Sequence, residues 1–140
     1  AKRREEALAL VARAEAKGPE VERLRAEAAA ERRAAAARLG EVPAWAPSSD
    51  KVEAWALEDR AQSLERQASR AALARRQLLD AALTHVPELP EAHASLAAIF
   101  RAQHEAAEAV RDAEAMAEAE VLLGAHVEAL LSELSPQPVA

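Results

Sequence analysis

Apolar residues recur every seven positions through the middle of the chain. Leu57, Leu64, Ala71 and Leu78 form such a series, and this spacing keeps successive side chains on one face of an α-helix. Charged residues lie mostly off this face, and a neighbouring row of alanines widens the apolar stripe. The pattern predicts a single helix over residues 51–86, roughly 54 Å long at the usual rise per residue.

A similar stripe runs through residues 2–39 and predicts a first helix. The glycine–proline pair at 18–19 should end or kink this helix, because proline removes a backbone hydrogen bond and clashes with the preceding turn. Residues 40–50 contain two prolines and two adjacent serines, which indicate a loop. Asp50 and Glu53 are spaced as in a capping box, in which each side chain accepts a backbone N–H at the start of the next helix.

The third apolar series begins after a turn that contains two prolines. Pro87 cannot continue the preceding helix, whereas Pro90 fits the first turn of a new helix, where its missing N–H would have no partner anyway. The seven-residue spacing then predicts a helix over residues 90–134, joined to the second helix by a loop at 87–89. The Ser-Pro-Gln-Pro sequence that follows predicts a frayed tail over residues 135–140.

The three patterns predict an all-α protein with a single domain over residues 1–140. We expect an elongated antiparallel three-helix bundle with coiled-coil-like, alanine-rich packing, because short connections favour antiparallel neighbours. The alternative is an open helical hairpin that buries its stripe only as a dimer, since the core side chains are small. The bundle predicts two bulky clusters: Val52 and Trp55 near Val121, Leu122, Gly124 and Val127, and Leu8, Leu10 and Val11 near Leu78, Leu79, Leu83 and Phe100.

Around the 87–89 turn, one helix ends in Ala-Leu before a proline, and the next helix carries Ala, Leu-Ala and an aromatic residue. This arrangement resembles a tetratricopeptide (TPR) junction. Three longer segments, WALEDRAQSLERQ, AALTHVPELPEAHASLA and AEAVRDAEAMAEAEVLLGAH, are similar to helical regions that follow the kinase domain in large multidomain bacterial serine/threonine kinases. The resemblance implies a signalling context, and the sequence itself contains no kinase motif. The TPR-like residues are Ala82, Leu83, Pro87, Ala92, Leu96, Ala97 and Phe100.

Composition narrows the functional classes. Forty of the 140 residues are alanine, which is typical of long helices, and the absence of cysteine excludes disulfides and thiol chemistry. The net charge of −6 argues against nucleic-acid binding, which requires a basic surface. No apolar run approaches the roughly 20 residues that span a bilayer, and no signal peptide is visible. We therefore expect a cytoplasmic protein without membrane insertion, and the start at Ala1 rather than Met suggests a fragment or a processed product.

The histidines do not have the spacing of a metal site. Metal ligands on a helix lie three or four residues apart, and no two of the four histidines do. His104 and Glu108 have this spacing and could pair with each other. We predict surface or helix-end histidines and no metal or cofactor. A glycine-rich phosphate loop, a nucleophile elbow and a kinase signature are also absent, so we predict that the protein is not an enzyme.

Two features are candidates for binding a partner. Trp45 lies in the predicted loop, and exposed tryptophans are enriched at binding hot spots, although a core role is equally compatible with the sequence. Trp55 is predicted to lie in the core. The second feature is an acidic run within residues 88–140, which contain ten acidic and two basic residues. A solvated helix face is the simplest interpretation of this run, and a basic partner is the functional one. The acidic candidates are Glu108, Asp112, Glu114 and Glu118.

These patterns favour a non-catalytic protein–protein interaction or spacer module of a larger bacterial signalling protein. Its partner would be another protein or flanking domains of the same chain. One alternative is a homodimerising coiled-coil domain, with the apolar stripes forming the seam. A second alternative is a ligand-binding helical bundle or an enzyme fragment, which would need convergent polar groups among the apolar stripes. Gln103 is the only uncharged polar residue in the seven-residue row of the third helix.

Overall fold

The computed structural model describes residues 2–134, and this part of the chain is helical without β-strands. The all-α prediction is therefore confirmed. The tail predicted over residues 135–140 lies outside the described residues. The elements in chain order are α1 (Lys2–Gly40), a 3-10 helix (Ser48–Asp50), α2 (Val52–His85), α3 (Pro90–Ala109) and α4 (Ala113–Leu134).

The first helix continues through the glycine–proline pair at 18–19. The predicted interruption therefore does not end the helix, although a proline in a helix interior destabilises it by about 3 kcal/mol. Buried apolar residues lie on both sides of the pair, with Ala14 before it and Val21 after it. Burial of the stripe on each side of the proline explains why the helix is not divided at this point.

The single helix predicted over residues 90–134 is wrong, because the structure has two helices joined by a tight turn. Arg111 in this turn has a φ of 56°, in the left-handed region that glycine usually occupies at a helix end. The N–H of Arg111 donates to the carbonyl of Glu108 at 3.1 Å, and that of Asp112 donates to the carbonyl of Ala107 at 2.9 Å. These two bonds form a Schellman motif, which satisfies carbonyls that the end of α3 would otherwise leave unpaired.

The start of α4 is fixed by the next side chain. Asp112 Oδ1 accepts a hydrogen bond from the backbone N–H of Ala115 at 3.0 Å, which is the usual role of an aspartate at a helix N-cap. Glu114 in the first turn adds a negative charge near the positive end of the helix dipole. The turn directs α4 back along α3. Leu122 and Leu123 of α4 then pack against a buried cluster that includes Leu96 and Phe100 of α3.

The contacts within the chain divide it into two compact units. The terminal unit contains residues 2–15 and 76–134 of the described chain, and the central unit contains residues 16–75. The helices α1 and α2 contribute residues to both units. The prediction of one domain treated these two regions as alike, but each has its own cluster of buried residues.

Large side chains form the core of the terminal unit. Val11, Leu79, Leu96 and Phe100 lie in one buried cluster, and Leu8, Leu10, Leu78 and Leu83 pack against it. The predicted cluster of the first helix with the 78–83 segment and Phe100 is therefore confirmed. The largest fully buried side chains of the described residues all belong to this unit: Leu79, Leu89, Leu96 and Phe100.

Alanine dominates the core of the central unit. Val21 and Leu24 from α1 pack with Ala68 and Ala71 from α2, and most other buried positions in this unit are alanines. Small side chains allow two helix backbones to approach closely, so packing here depends more on backbone proximity than on bulky apolar groups. The remaining buried alanines are Ala28 and Ala35 on α1 and Ala54 and Ala61 on α2.

Both helices bury a row with a period of seven. On α1 the buried row is Ala7, Ala14, Val21, Ala28 and Ala35, as the sequence predicts. On α2 the neighbouring row of alanines is buried, including Ala54, Ala61 and Ala68. The leucines of the predicted stripe, Leu57, Leu64 and Leu78, are only half-buried. The smaller side chains thus occupy the closest approach, and the leucines lie beside it.

The second predicted cluster, which placed Val52 and Trp55 beside Leu122, is wrong. Val52 is 56% exposed and Trp55 is 43% exposed. Leu122 packs instead against the core of the terminal unit. The reason is the turn after α3, because it reverses the direction of α4, whereas the prediction required one straight helix.

Candidate interaction surfaces

Three large apolar side chains near the start of α2 are exposed. Trp45 is 85% exposed, and Val52 and Trp55 are also largely accessible. Val52 and Trp55 are three residues apart on one helix, so their side chains share a face. Lys51 Nζ donates to the carbonyl of Ala44 at 3.2 Å, and this bond ties the backbone beside Trp45 to the start of α2. We call Trp45, Val52 and Trp55 the apolar patch.

The loop that carries Trp45 is ordered by its own backbone. Two consecutive turns close with backbone hydrogen bonds, and the second is the short 3-10 helix that precedes α2. An ordered loop loses less conformational entropy on binding than a flexible one. The bonds are Ala46 N to Pro43 O at 2.9 Å, Asp50 N to Pro47 O at 3.0 Å and Lys51 N to Ser48 O at 3.0 Å.

Ion pairs join the two helices of the central unit. Glu53 was predicted to pair with the backbone beside Asp50, but its Oε2 lies 3.3 Å from Arg38 Nη1. Further along, Arg32 donates two hydrogen bonds to Glu65, at 2.5 and 2.8 Å. These hydrogen bonds lower the pKa of the Glu65 carboxyl. The partner numbers rise on α2 as they fall on α1, so the two helices are antiparallel in this unit.

A shallow depression also lies on the surface of the central unit. All of its lining residues belong to α2, so one helix face rather than a set of converging elements forms it. Polar and charged side chains line it, and Glu65 among them is already paired with Arg32. The lining residues are Gln62, Glu65, Arg66, Ser69 and Arg70.

The acidic candidates lie in the terminal unit around the turn between α3 and α4. Glu108, Asp112, Glu114 and Glu118 are all exposed. Asp112 caps α4, as described above, so one member of the set has a structural role that the sequence analysis missed. Aspartate is one of the residues favoured at an N-cap, and its identity at position 112 was the signal available in the sequence.

His104 lies between two of the carboxylates of the same region. Its Nδ1 is 4.0 Å from Glu108 Oε2, so the pair predicted from the four-residue spacing is confirmed. A closer partner lies on α4, where Glu120 Oε1 is 2.9 Å from His104 Nε2. This second contact could not be predicted from the sequence, because it depends on the reversal of the chain after α3.

Two further histidines meet across the same helix pair. His93 Nδ1 and His126 Nδ1 are 2.8 Å apart, and His93 Nε2 lies 2.8 Å from the carbonyl oxygen of Pro87. The sequence predicts surface or helix-end histidines, and both are half-buried, but it does not predict that they meet. They are 33 residues apart, so a search for ligands three or four residues apart on one helix could not pair them.

Between Lys2 and Leu134, no group of three or more histidine, cysteine, aspartate or glutamate side chains is arranged to hold a metal ion. No helix in this range combines the length and apolar character needed to cross a bilayer. Comparisons with protein-family models, with curated proteins and with solved structures found no match to this chain.

Proposed function

We propose that this chain is a non-catalytic protein–protein interaction or spacer module and that the apolar patch is its contact surface. The observation that carries the proposal is the 85% exposure of Trp45 on a hydrogen-bonded loop. Tryptophan side chains bury large apolar areas and dominate the energetics of many interfaces. A partner that covered Trp45, Val52 and Trp55 would remove this apolar surface from water.

The setting that we propose is a larger bacterial signalling protein. The support for it is the resemblance of the 55–67, 81–97 and 107–126 segments to regions downstream of serine/threonine kinase domains. We also propose coiled-coil-like packing of the two helices in the central unit. The buried alanines with a seven-residue period on both helices support this packing.

The acidic surface of the terminal unit is a second candidate contact. Its exposed carboxylates favour a basic partner, because complementary charge increases the rate and specificity of association. Because Asp112 caps α4, the carboxylates left for binding a partner are Glu108, Glu114 and Glu118. Exposed charges at the rim of an interface contribute less than a buried aromatic anchor, so the apolar patch is the stronger candidate.

The test compares capture of partners by the wild-type chain, by Trp45→Ala and by Leu73→Ala. Leu73 is a matched control, because it is an exposed apolar residue of the same unit at 57% exposure. We expect one protein to be captured by the wild type and by Leu73→Ala. With that protein purified, Trp45→Ala should raise the Kd at least tenfold, since hot-spot truncations cost about 2 kcal/mol or more.

Equal capture by all three chains would contradict a role for Trp45. A set of charge variants, with Glu108, Glu114 and Glu118 changed to Gln, tests the acidic surface in the same assay. Sedimentation of the wild type at several concentrations tests the homodimer alternative. A different outcome would favour the spacer function. If no partner is captured and the longer protein functions with an unrelated spacer of equal length, the chain does not act by binding a partner and serves only to set the distance between flanking domains.

A further inference from the structure

The protons of the His93–His126 pair can be assigned from the partners of each ring. The carbonyl oxygen of Pro87 can only accept a hydrogen bond, so His93 Nε2 carries a proton and donates it across 2.8 Å. A neutral His93 therefore has a bare Nδ1, which accepts. The 2.8 Å contact with His126 Nδ1 then requires that His126 carries its proton on Nδ1 and donates it.

The surroundings of His126 include both apolar and charged groups. Its ring stacks on Phe100, with centroids 5.5 Å apart and planes at 14°, and Phe100 is fully buried. Three ionisable groups act on it: His93 from α3, and Asp80 and Arg76 from α2. Burial lowers the pKa of His126, His93 and Arg76 lower it further, and Asp80 opposes them.

The pair tolerates one added proton but not two. A first proton can be held on either ring, because the other ring can take the tautomer with a bare Nδ1 and accept. After a second proton, both Nδ1 atoms carry hydrogen, neither can accept, and two positive rings face each other at hydrogen-bond distance. The rings must then separate, and His93 and His126 lie on different helices.

We propose that the His93–His126 pair is a proton-sensitive latch that holds α4 against α3 and loosens it when both rings become protonated. The sign follows from linkage. A histidine with a lowered pKa in the docked state binds protons more readily after α4 opens. The docked state is therefore fully stable above the ordinary histidine pKa of 6.5 and loses stability as the pH falls below it.

His104 provides an internal control, because it also connects α3 to α4. Its Nε2 lies 2.9 Å from Glu120 Oε1. Protonation of His104 creates an ion pair with that carboxylate instead of a like-charge contact. Acidification should therefore not break this link, so the His104–Glu120 contact does not account for a loosening of α4.

The test is hydrogen exchange of residues 113–134 at about pH 7.5 and about pH 5, corrected for intrinsic exchange rates, with a chelator present to remove metal ions. In the wild type we expect protection of α4 to fall about tenfold or more. Each proton that binds only after α4 opens shifts the docking equilibrium by up to about tenfold per pH unit. His126→Asn keeps an N–H near the position of Nδ1 but does not titrate, so the protection of α4 should fall much less in this variant than in the wild type. His104→Asn keeps the latch, so it should lose at least as much protection as the wild type does.

Two results would overturn the latch: equal wild-type protection at both pH values, or a loss in His126→Asn as large as in the wild type. If that variant does not fold, NMR of the histidine ring nitrogens in the wild type tests the proposal by identifying the tautomers. We expect His93 protonated on Nε2 and His126 protonated on Nδ1 near pH 7.5, and the opposite tautomers would contradict the proposal.

Discussion

The terminal and central units have the same secondary structure but different cores. In the terminal unit, Leu79, Leu89, Leu96 and Phe100 are fully buried, whereas in the central unit most buried positions are alanines. Ion pairs join helices in both units, and the apolar patch belongs to the central one. A large side chain gains more from burial than alanine does, because the gain scales with apolar area. The stabilisation of this protein should therefore be concentrated in the terminal unit.

The two cores should also be destabilised by opposite kinds of substitution. A core of large side chains is sensitive to truncation, which leaves a cavity. An alanine core is sensitive to enlargement, because added methyl groups must push two close backbones apart. Substitutions in each unit can therefore test whether the difference in packing is as described.

Truncation of Phe100 should have the largest effect. Phe100→Ala removes the ring that contacts His126 and lies 4.9 Å from the Arg76 guanidinium carbon. We expect the free energy of unfolding to fall by about 3–5 kcal/mol, measured by denaturant titration with circular dichroism. Leu73→Ala, at an exposed position, should change it by less than about 0.5 kcal/mol. Similar effects of the two substitutions would contradict the core assignment.

Enlargement in the central unit should have the next largest effect. Ala61 is fully buried, and Ala61→Leu should destabilise the protein by about 1–3 kcal/mol through overpacking. The control is Ala56→Leu, at an exposed position of the same helix, which should be nearly neutral because leucine is also a good helix former. A stabilising Ala61→Leu would show that space remains between the helices.

Removal of the cap of α4 should have a smaller effect. Asp112→Ala deletes the acceptor for the Ala115 N–H and should lower the free energy of unfolding by about 1 kcal/mol. Asp112→Asn keeps an acceptor and should restore most of the loss. Glu118→Ala, in the exposed interior of α4, is the control and should be nearly silent. A silent Asp112→Ala would mean that the turn does not depend on this cap.

The ion pair of the central unit should have the smallest effect. The pKa of Glu65 is lowered by Arg32, so the pair stabilises the fold above the ordinary glutamate pKa of 4.5 and loses this contribution as the pH falls through the folded value. The difference in unfolding midpoint between the wild type and Glu65→Gln should shrink on acidification and in high salt. Glu22→Gln, at an exposed site on α1, should show a smaller difference at neutral pH.

The sequence was informative where a local rule applies. The proline turn at 87–89, the start of the helix that follows it and the seven-residue row on α1 depend on backbone sterics and on periodicity. The four-residue spacing of His104 and Glu108 is likewise a local relation. Each of these features was predicted within one or two residues.

Other features depend on groups distant in sequence or on an unusual backbone. The turn at Arg111 contains neither glycine nor proline, so its left-handed residue had no signal of its own. That one turn decides the direction of α4, and with it the packing of Leu122 against the terminal core and the meeting of His93 with His126. An error at a single connection therefore changed the predicted core and hid the histidine pair.

Residue-resolved hydrogen exchange of the whole chain at about pH 7.5 tests the contrast between the two cores most directly. The opening free energy of a helix reflects the apolar contacts that hold it. We predict that amides of residues 79–83 and 96–100 are protected at least about tenfold more strongly than those of residues 28–35 and 54–61, which corresponds to roughly 1.4 kcal/mol. Equal protection in the two sets, or stronger protection of the alanine-rich segments, would contradict the account.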